Sequence, residues 1–302
     1  MSLDCILSRE PLSNWDKFWS SPTRFIAQRI YSLSYTPPSP TDVLSNSTRI
    51  AVVCVSDTHN SHANIPPLPD GDILVHAGDL TQSGTEEEVH QALRWLEKQP
   101  HLHKVFIAGN HDRALEDASF RAVIASAYPS LTYLHDSCVT LNIEGKRVTV
   151  YGSPRTPRHG SWPFQYPRIQ PHQVSSSTVW EGIPSHVDIL VTHGPPVHHL
   201  DCDGSGCEAL LTRLWEVRPS LHVHGHIHAR RGVQRVFWTE RQKLYEDVMR
   251  GLWTWAKFIR LLWLSWWKEP MRGRGTVLVN ASTVGGFRDD QIRPALAVYV
   301  DV

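Results

Sequence analysis

Five times in this chain, a short apolar run ends abruptly on side chains that can bind a metal. "RIAVVCVSDTH" closes on Asp57 and His59, and "DILVHAGD" on Asp79. "HKVFIAGNHD" closes on Asn110, His111 and Asp112, "DILVTHG" on His193, and "LHVHGHIH" on His226 and His228. Short apolar runs bounded by turn signals have the length of buried strands. In open α/β sheets, ligands bind beyond the carboxyl ends of the strands. The pattern therefore predicts an α/β fold in which five strand ends converge on one rim. Gly78, Gly109, Gly194 and Gly225 flank these groups and permit sharp turns and close backbone approach.

Between the runs, "TEEEVHQALRWLEKQ" carries the Thr85-x-x-Glu88 capping box and apolar residues at helical spacing, giving a β, β, α, β order. "VTLNIEGKRVTVYGSP" alternates on both sides of Glu144-Gly145 and predicts a hairpin. "GCEALLTRLWEVRPS" predicts a helix, and "GTVLVNAS" and "ALAVYVDV" two closing strands.

A lone Asp after a buried strand is usually a cap or turn residue, and a lone His is usually structural. Five such ends in succession are hard to obtain by chance. Asp57, His59, Asp79, Asn110, His193, His226 and His228 exceed the needs of one metal. Without thiolates they suit two divalent ions of the manganese, iron or zinc type sharing one carboxylate. His222, His224, His226 and His228 alternate, and a regular strand would point all four one way.

Composition supports catalysis by a packed soluble domain. Apolar residues make up 41% of the 302 residues, and 18 are histidine. The 30 basic and 30 acidic residues cancel, which disfavours a surface for polymeric nucleic acid. Five scattered cysteines make a poor disulfide framework. Cys202 and Cys207 lie close enough in sequence to bridge or to stand as separate thiols. The first residues lack a basic start and a long apolar core, so no secretory signal is expected and the cytoplasm is the default.

The ordered set D-x-H, G-D, G-N-H-D, T-H-G and G-H-x-H resembles the calcineurin-like metallophosphoesterase superfamily, over residues 49–302 apart from one insert. "DILVHAGDLT", "IAGNHD", "YGSPRTP", "DILVTHGPP", "LHVHGHIH" and "VNAS" resemble its metallophosphoesterase-domain-containing (MPPED) branch. The resemblance implies a four-layer α/β/β/α sandwich with a helical insertion. It implies Asp57, His59 and His228 as ligands of one metal, Asn110, His193 and His226 as ligands of the other, and Asp79 as the bridge. It further implies that His111 contacts the substrate phosphate and assists the leaving group, that a hydroxide shared by the metals attacks, and that Asn110 also meets substrate. His222 and His224 read as packing or supporting residues.

The implied activity is hydrolysis of small phosphodiesters such as cyclic nucleotides, with manganese first among the metals and iron or zinc as alternatives. A phosphomonoesterase or protein phosphatase is the enzymatic alternative. A metal-binding scaffold without catalysis is the alternative of another class, and filled ligand positions argue against it. The loop "GSPRTPRHGSWPFQYPR" offers Arg155, Arg158 and His159 for phosphate and Trp162 or Phe164 for stacking on a base. His199 is a further rim residue. An exposed, solvated loop is an equal reading of the same stretch.

Two segments fall outside this pattern. Residues 1–48 form an N-terminal extension in which "TRFIAQRIYSL" has helical spacing, before a Pro/Ser/Thr-rich connection. Residues 237–275 form a Trp-rich helical insertion with six tryptophans. Lys257 and Arg260 interrupt its apolar run, against a transmembrane span. So wide an apolar face needs a cover: the sandwich, the N-terminal segment, a second copy, or a membrane surface met peripherally.

Overall fold

The computed structural model describes residues 13–34, 49–202, 204–266, 275–285 and 290–301. The Pro/Ser/Thr-rich connection lies outside them. The first half supplies β1 (Arg49–Val55), β2 (Ile73–Ala77), β3 (His103–Ile107), β4 (Thr132–Tyr133), β5 (Ser137–Ile143), β6 (Lys146–Ser153), β7 (Thr156–Pro157) and β8 (Gln165–Tyr166). The second half supplies β9 (Ile189–Thr192), β10 (Leu221–His224), β11 (Gly232–Val236), β12 (Thr276–Asn280), β13 (Val284–Gly285), β14 (Gln291–Ile292) and β15 (Leu296–Asp301). The helices are α1 (Asn14–Ser20), α2 (Pro22–Ser34), α3 (Glu86–Glu97), α4 (Ala118–Ala127), α5 (Glu208–Val217), α6 (Glu240–Arg250) and α7 (Trp255–Trp266).

Two sheets stack face to face, in the orders β15-β1-β2-β3-β4 and β11-β12-β10-β9-β6-β5. Val52, Cys54, Val75 and Ile107 from the first interleave with Val150, Ile189, Val223 and Val279 from the second. Alternate residues on the same strands turn outward. Val53, Leu74 and Phe106 meet Val89, Leu93 and Ile124 of α3 and α4. Leu190 and Leu278 meet Leu210 and Leu214 of α5. Because both faces of β1, β2, β3, β9 and β10 are covered, these strands read as continuous apolar runs. The architecture is the four-layer α/β/β/α sandwich. The β5–β6 hairpin turns at Glu144-Gly145, both at positive φ, with Ile143 opposite Lys146. Cys207 is a free, buried thiol, so it does not bridge to Cys202.

The insertion leaves the sheet after Val236 and returns at Thr276, which are paired neighbours on β11 and β12. It forms two helices rather than one. Gly251, at φ 78°, adopts the left-handed conformation that ends α6, and its N–H satisfies carbonyls of the last turn. Leu244, Val248, Phe258, Leu261 and Leu264 bury against one another and against Ala27 of α2. Tyr31 stacks on Tyr245 with ring centroids 4.1 Å apart. The N-terminal helix thus covers part of the insertion, and Leu33 stays exposed. Among the described residues, no helix is long and apolar enough to cross a membrane.

Phe258 is 6% exposed in this satellite core. Phe258→Ala should cost about 3–5 kcal/mol in denaturant-induced unfolding, with metal stoichiometry unchanged. A loss of bound metal in that variant would show that the helical module shapes the ligand set.

Candidate metal centre

β1, β2 and β3 run parallel in one sheet, and β9 and β10 run parallel in the other. Their carboxyl ends reach the same rim, and each chain segment turns sharply there. Asp57, His59, Asp79 and His226 sit at φ 52°, 41°, 54° and 67°. Left-handed backbone of this kind costs energy in non-glycine residues and clusters at functional sites. Here it stops each strand and turns the next side chain inward. Glycine is required at two crossings. A Cβ on Gly225 would strike the Asp57 carboxylate, and one on Gly109 would strike that of Asp79.

The expected ligands come together in two groups that meet at one carboxylate. Asp57, His59 and His228 form the first, and Asp79, His193 and His226 the second. His59 also stands with Asp79 and His111, and its Nε2 is 3.8 Å from Asp79 Oδ2. Asn110 joins the second group, its Oδ1 lying 3.1 Å from His193 Nε2.

The donor set fits divalent cations. His59 Nδ1 donates to the Thr81 carbonyl at 3.1 Å, leaving the Nε2 lone pair facing inward. That Nε2 lies 3.4 Å from His228 Nε2, which in turn lies 3.2 Å from Asp57 Oδ1. His193 Nδ1 donates to the Ala77 carbonyl at 2.9 Å, directing Nε2 toward Asp79 Oδ2 at 3.1 Å. Backbone carbonyls that fix the outer imidazole nitrogen are a hallmark of metal-ligating histidines. Asp57 and Asp79, 0% and 2% exposed, place two carboxylates in a dry site that calls for positive charge.

Protonation supplies that charge in the metal-free protein. Burial alone would raise both carboxyls. The His228 hydrogen bond and charge outweigh it at Asp57, and His193 outweighs it at Asp79, so both stay below the usual range. Burial alone would lower His193, and the Asp79 carboxylate instead holds it up at about 9. His226 is kept neutral by burial and the neighbouring His193 charge.

Further residues hold the rim together. Asp112 is fully buried and accepts from Gly109 N–H at 2.8 Å, Thr81 N–H at 2.9 Å, Thr81 Oγ1 at 2.7 Å and Leu80 N–H at 3.2 Å. It ties the Asn110 turn to the Asp79 turn and, among the described residues, takes part in no ion pair. Burial and the Asp79 charge push it up to about 6. Ser282 Oγ donates to Asp57 Oδ2 at 2.9 Å. Ser282 closes the "VNAS" motif at the end of β12, and that motif alone does not show that its hydroxyl reaches Asp57.

The structure corrects several expectations. The four alternating histidines do not share a face, because β10 ends at His224 and His226 turns left-handed. His222 and His224 are buried in the outer layer, with His222 Nε2 against Thr192 Oγ1 at 2.8 Å. His199 is not a rim residue. It is fully buried, with Nε2 3.2 Å from Glu246 Oε1 of α6. A single sequence cannot show that its neighbour comes from an insertion 47 residues away. Arg155 gives Nε and Nη2 to Asp136 Oδ2, each at 2.8 Å, rather than standing free for phosphate. Phe164 packs against the outer core beside α3 and α4. Trp162 lies over the centre, stacked on His111 with centroids 4.5 Å apart and 43% exposed. His159 lies against His226 at 4.7 Å, and Arg158 is exposed.

An Asp/Asn/His centre on the rim of such a sandwich defines a class. Residues 50–230 match the calcineurin-like phosphoesterase family, and the chain belongs to it. Metallophosphoesterase domain-containing protein 1 of Homo sapiens is 35% identical over 253 residues, covering 72% of this chain and 75% of that protein. A UPF0046 protein of Caenorhabditis elegans is 35% identical over 199 residues, covering 61% of this chain and 65% of that protein. A protein of Emericella nidulans named probable rhamnogalacturonate lyase C is 44% identical over 99% of this chain, which spans 29% of that protein's length.

Two outcomes follow from this geometry. With His193 protonated up to about pH 9, a metal binding at neutral pH must displace its proton. Apparent affinity should therefore rise with pH and level off above that value. Titration calorimetry in buffers of different ionisation heat checks this, and heats independent of the buffer at pH 7 would contradict it. Asp112→Ala leaves three backbone N–H groups without their acceptor and should destabilise by about 3–5 kcal/mol, read from thermal unfolding of the metal-free protein.

Proposed function

We propose that this protein hydrolyses phosphate esters with two divalent metal ions, and that its substrate is a small phosphodiester of the cyclic-nucleotide kind. One observation carries the reading: Asp79 stands between two ligand groups, with His111 beside it. Asp57, His59 and His228 would hold one ion, Asn110, His193 and His226 the other, and Asp79 both. Bound there, such ions offset phosphoryl charge and lower the pKa of water to the neutral range. Manganese is the first candidate, its oxygen donors being Asp57, Asp79 and Asn110, and the four imidazoles suit iron or zinc equally.

The chain's own groups complete the chemistry. His111 donates Nδ1–H to the Gln82 carbonyl at 2.9 Å, which fixes the ring and leaves Nε2 for the leaving oxygen. Protonated, Nε2 donates to the alkoxide as the ester bond breaks. Trp162 backs the ring and offers its open face to a planar base. That platform favours a nucleotide ester over a phosphoprotein, and an ester small enough to diffuse within the cytoplasm. A phosphomonoesterase is the second reading, since the same ligands serve both reactions. A non-catalytic scaffold is disfavoured by a complete ligand set. The lyase in the name of the Emericella nidulans relative belongs to a protein extending far beyond the match.

A screen of the manganese-loaded protein against 2′,3′- and 3′,5′-cyclic nucleotides, phosphomonoesters and phosphoproteins tests the substrate class. Turnover confined to monoesters would overturn the diesterase reading. Asp79→Asn should lose at least ~100-fold in turnover together with metal content. Unchanged metal content and turnover would dismiss the shared-carboxylate assignment. His111→Ala should keep its metals and lose ~10²–10⁴-fold in rate, less for p-nitrophenolate than for alkoxide leaving groups. An equal loss for both would move His111 from leaving group to phosphoryl oxygens.

A further inference from the structure

We propose that the tryptophan-bearing face of α7 seats this protein on an anionic phospholipid surface. The helix is apolar nearly all round, and among the described residues α2 and α6 bury one side of it. Phe258, Leu261 and Leu264 are buried against α2 and α6. On the opposite side Trp255, Ile259, Trp263 and Trp266 are 67%, 61%, 48% and 86% exposed. Their spacing of four, four and three residues places them in one stripe. α1, which packs on α2, carries two further exposed tryptophans, Trp15 and Trp19, at 69% and 63%. Isolated exposed apolar residues are ordinary, but an aligned row of large aromatics marks an interaction surface.

Composition and charge select the occupant. Tryptophan favours the boundary between headgroups and acyl chains, where its ring is apolar and its N–H reaches water. The whole chain has a formal net charge of zero, but the helical module does not share it. Residues 14–34 and 240–266 hold eight basic side chains against four acidic ones. Arg260 lies over the Trp263 ring at 4.9 Å and pairs with Glu240 at 3.2 Å, and Lys257 pairs with Asp247, so the module's surplus positive charge rests on groups such as the exposed Arg24, Arg29 and Lys243. Positive charge beside an aromatic row complements anionic headgroups, each Lys or Arg near the surface adding to the attraction. A second copy of the chain fits less well. A twelve-residue helix is roughly 18 Å long and about 10 Å wide. One face of it falls short of the ~800 Å² per partner that stable interfaces bury. The stripe belongs to the module and contains no metal ligand, so the inference stands independently of the proposed hydrolysis.

The test is flotation of the full chain with vesicles of phosphatidylcholine, alone and mixed with phosphatidylserine. The intact protein should float with the mixed vesicles, float poorly with phosphatidylcholine alone, and be released as salt screens the charge. Replacing Trp255, Trp263 and Trp266 together by serine changes only exposed side chains. It should reduce partitioning at least ~10-fold, with thermal stability and metal content retained. Failure of the intact protein to float with mixed vesicles would overturn the proposal, as would equal flotation of the serine variant. A dimer in sedimentation equilibrium that the serine variant dissolves would assign the stripe to a second copy instead.

Discussion

Asp79 is the group on which the rest of the centre depends. A carboxylate with 2% exposure survives only if positive charge and hydrogen-bond donors surround it. In this protein they come from both sheets. His111 N–H donates to its Oδ1 at 2.7 Å from the turn after β3, while His193 reaches Oδ2 from the end of β9. No single layer contains all of its partners, so the sheets must stack in one registration. The interleaved valines and isoleucines between the sheets supply that registration, and the polar rim is built on a rigid apolar floor.

The rim is held by backbone shape as much as by side-chain contacts. Four residues of the candidate centre occupy left-handed conformations, two glycines lie where a Cβ would strike one of its carboxylates, and Asp112 binds two of the turns through their N–H groups. Each device fixes where a carboxylate or imidazole points before any ion arrives. Preorganisation of this kind limits the reorganisation needed at the moment of reaction.

Much of this was legible in the sequence because the chemistry and the periodicity coincide. Asp57, Asp79, Asn110, His193 and His226 each follow an apolar run by one to three residues, so strand end and ligand are read together. The errors share one cause: they concern partners brought in from elsewhere. The alternation in "HVHGHIH" is a true strand signal for His222 and His224, and a single left-handed residue ends its validity at His226. His199 looks like a rim residue until Glu246 is seen to claim it. Arg155 looks like a phosphate ligand until Asp136, from the loop between β4 and β5, pairs with it. Spacing reports the direction of a side chain along its own strand, and it is silent about which distant group occupies that direction.

Glu246 accepts from Gln242 and from Trp215 Nε1, and Gln242 accepts from Tyr31 of the N-terminal helix. Tyr31 and Gln242 are separated by 211 positions. At about 5–20 residues per second of synthesis, α1 and α2 leave the ribosome roughly 10–40 s before the surface that receives them exists. Throughout that interval the apolar side of α2 lacks its partners on α6 and α7. The apolar side of α2 is thus made well before the helices that bury it, and it stays open to other contacts while the sandwich is being synthesised.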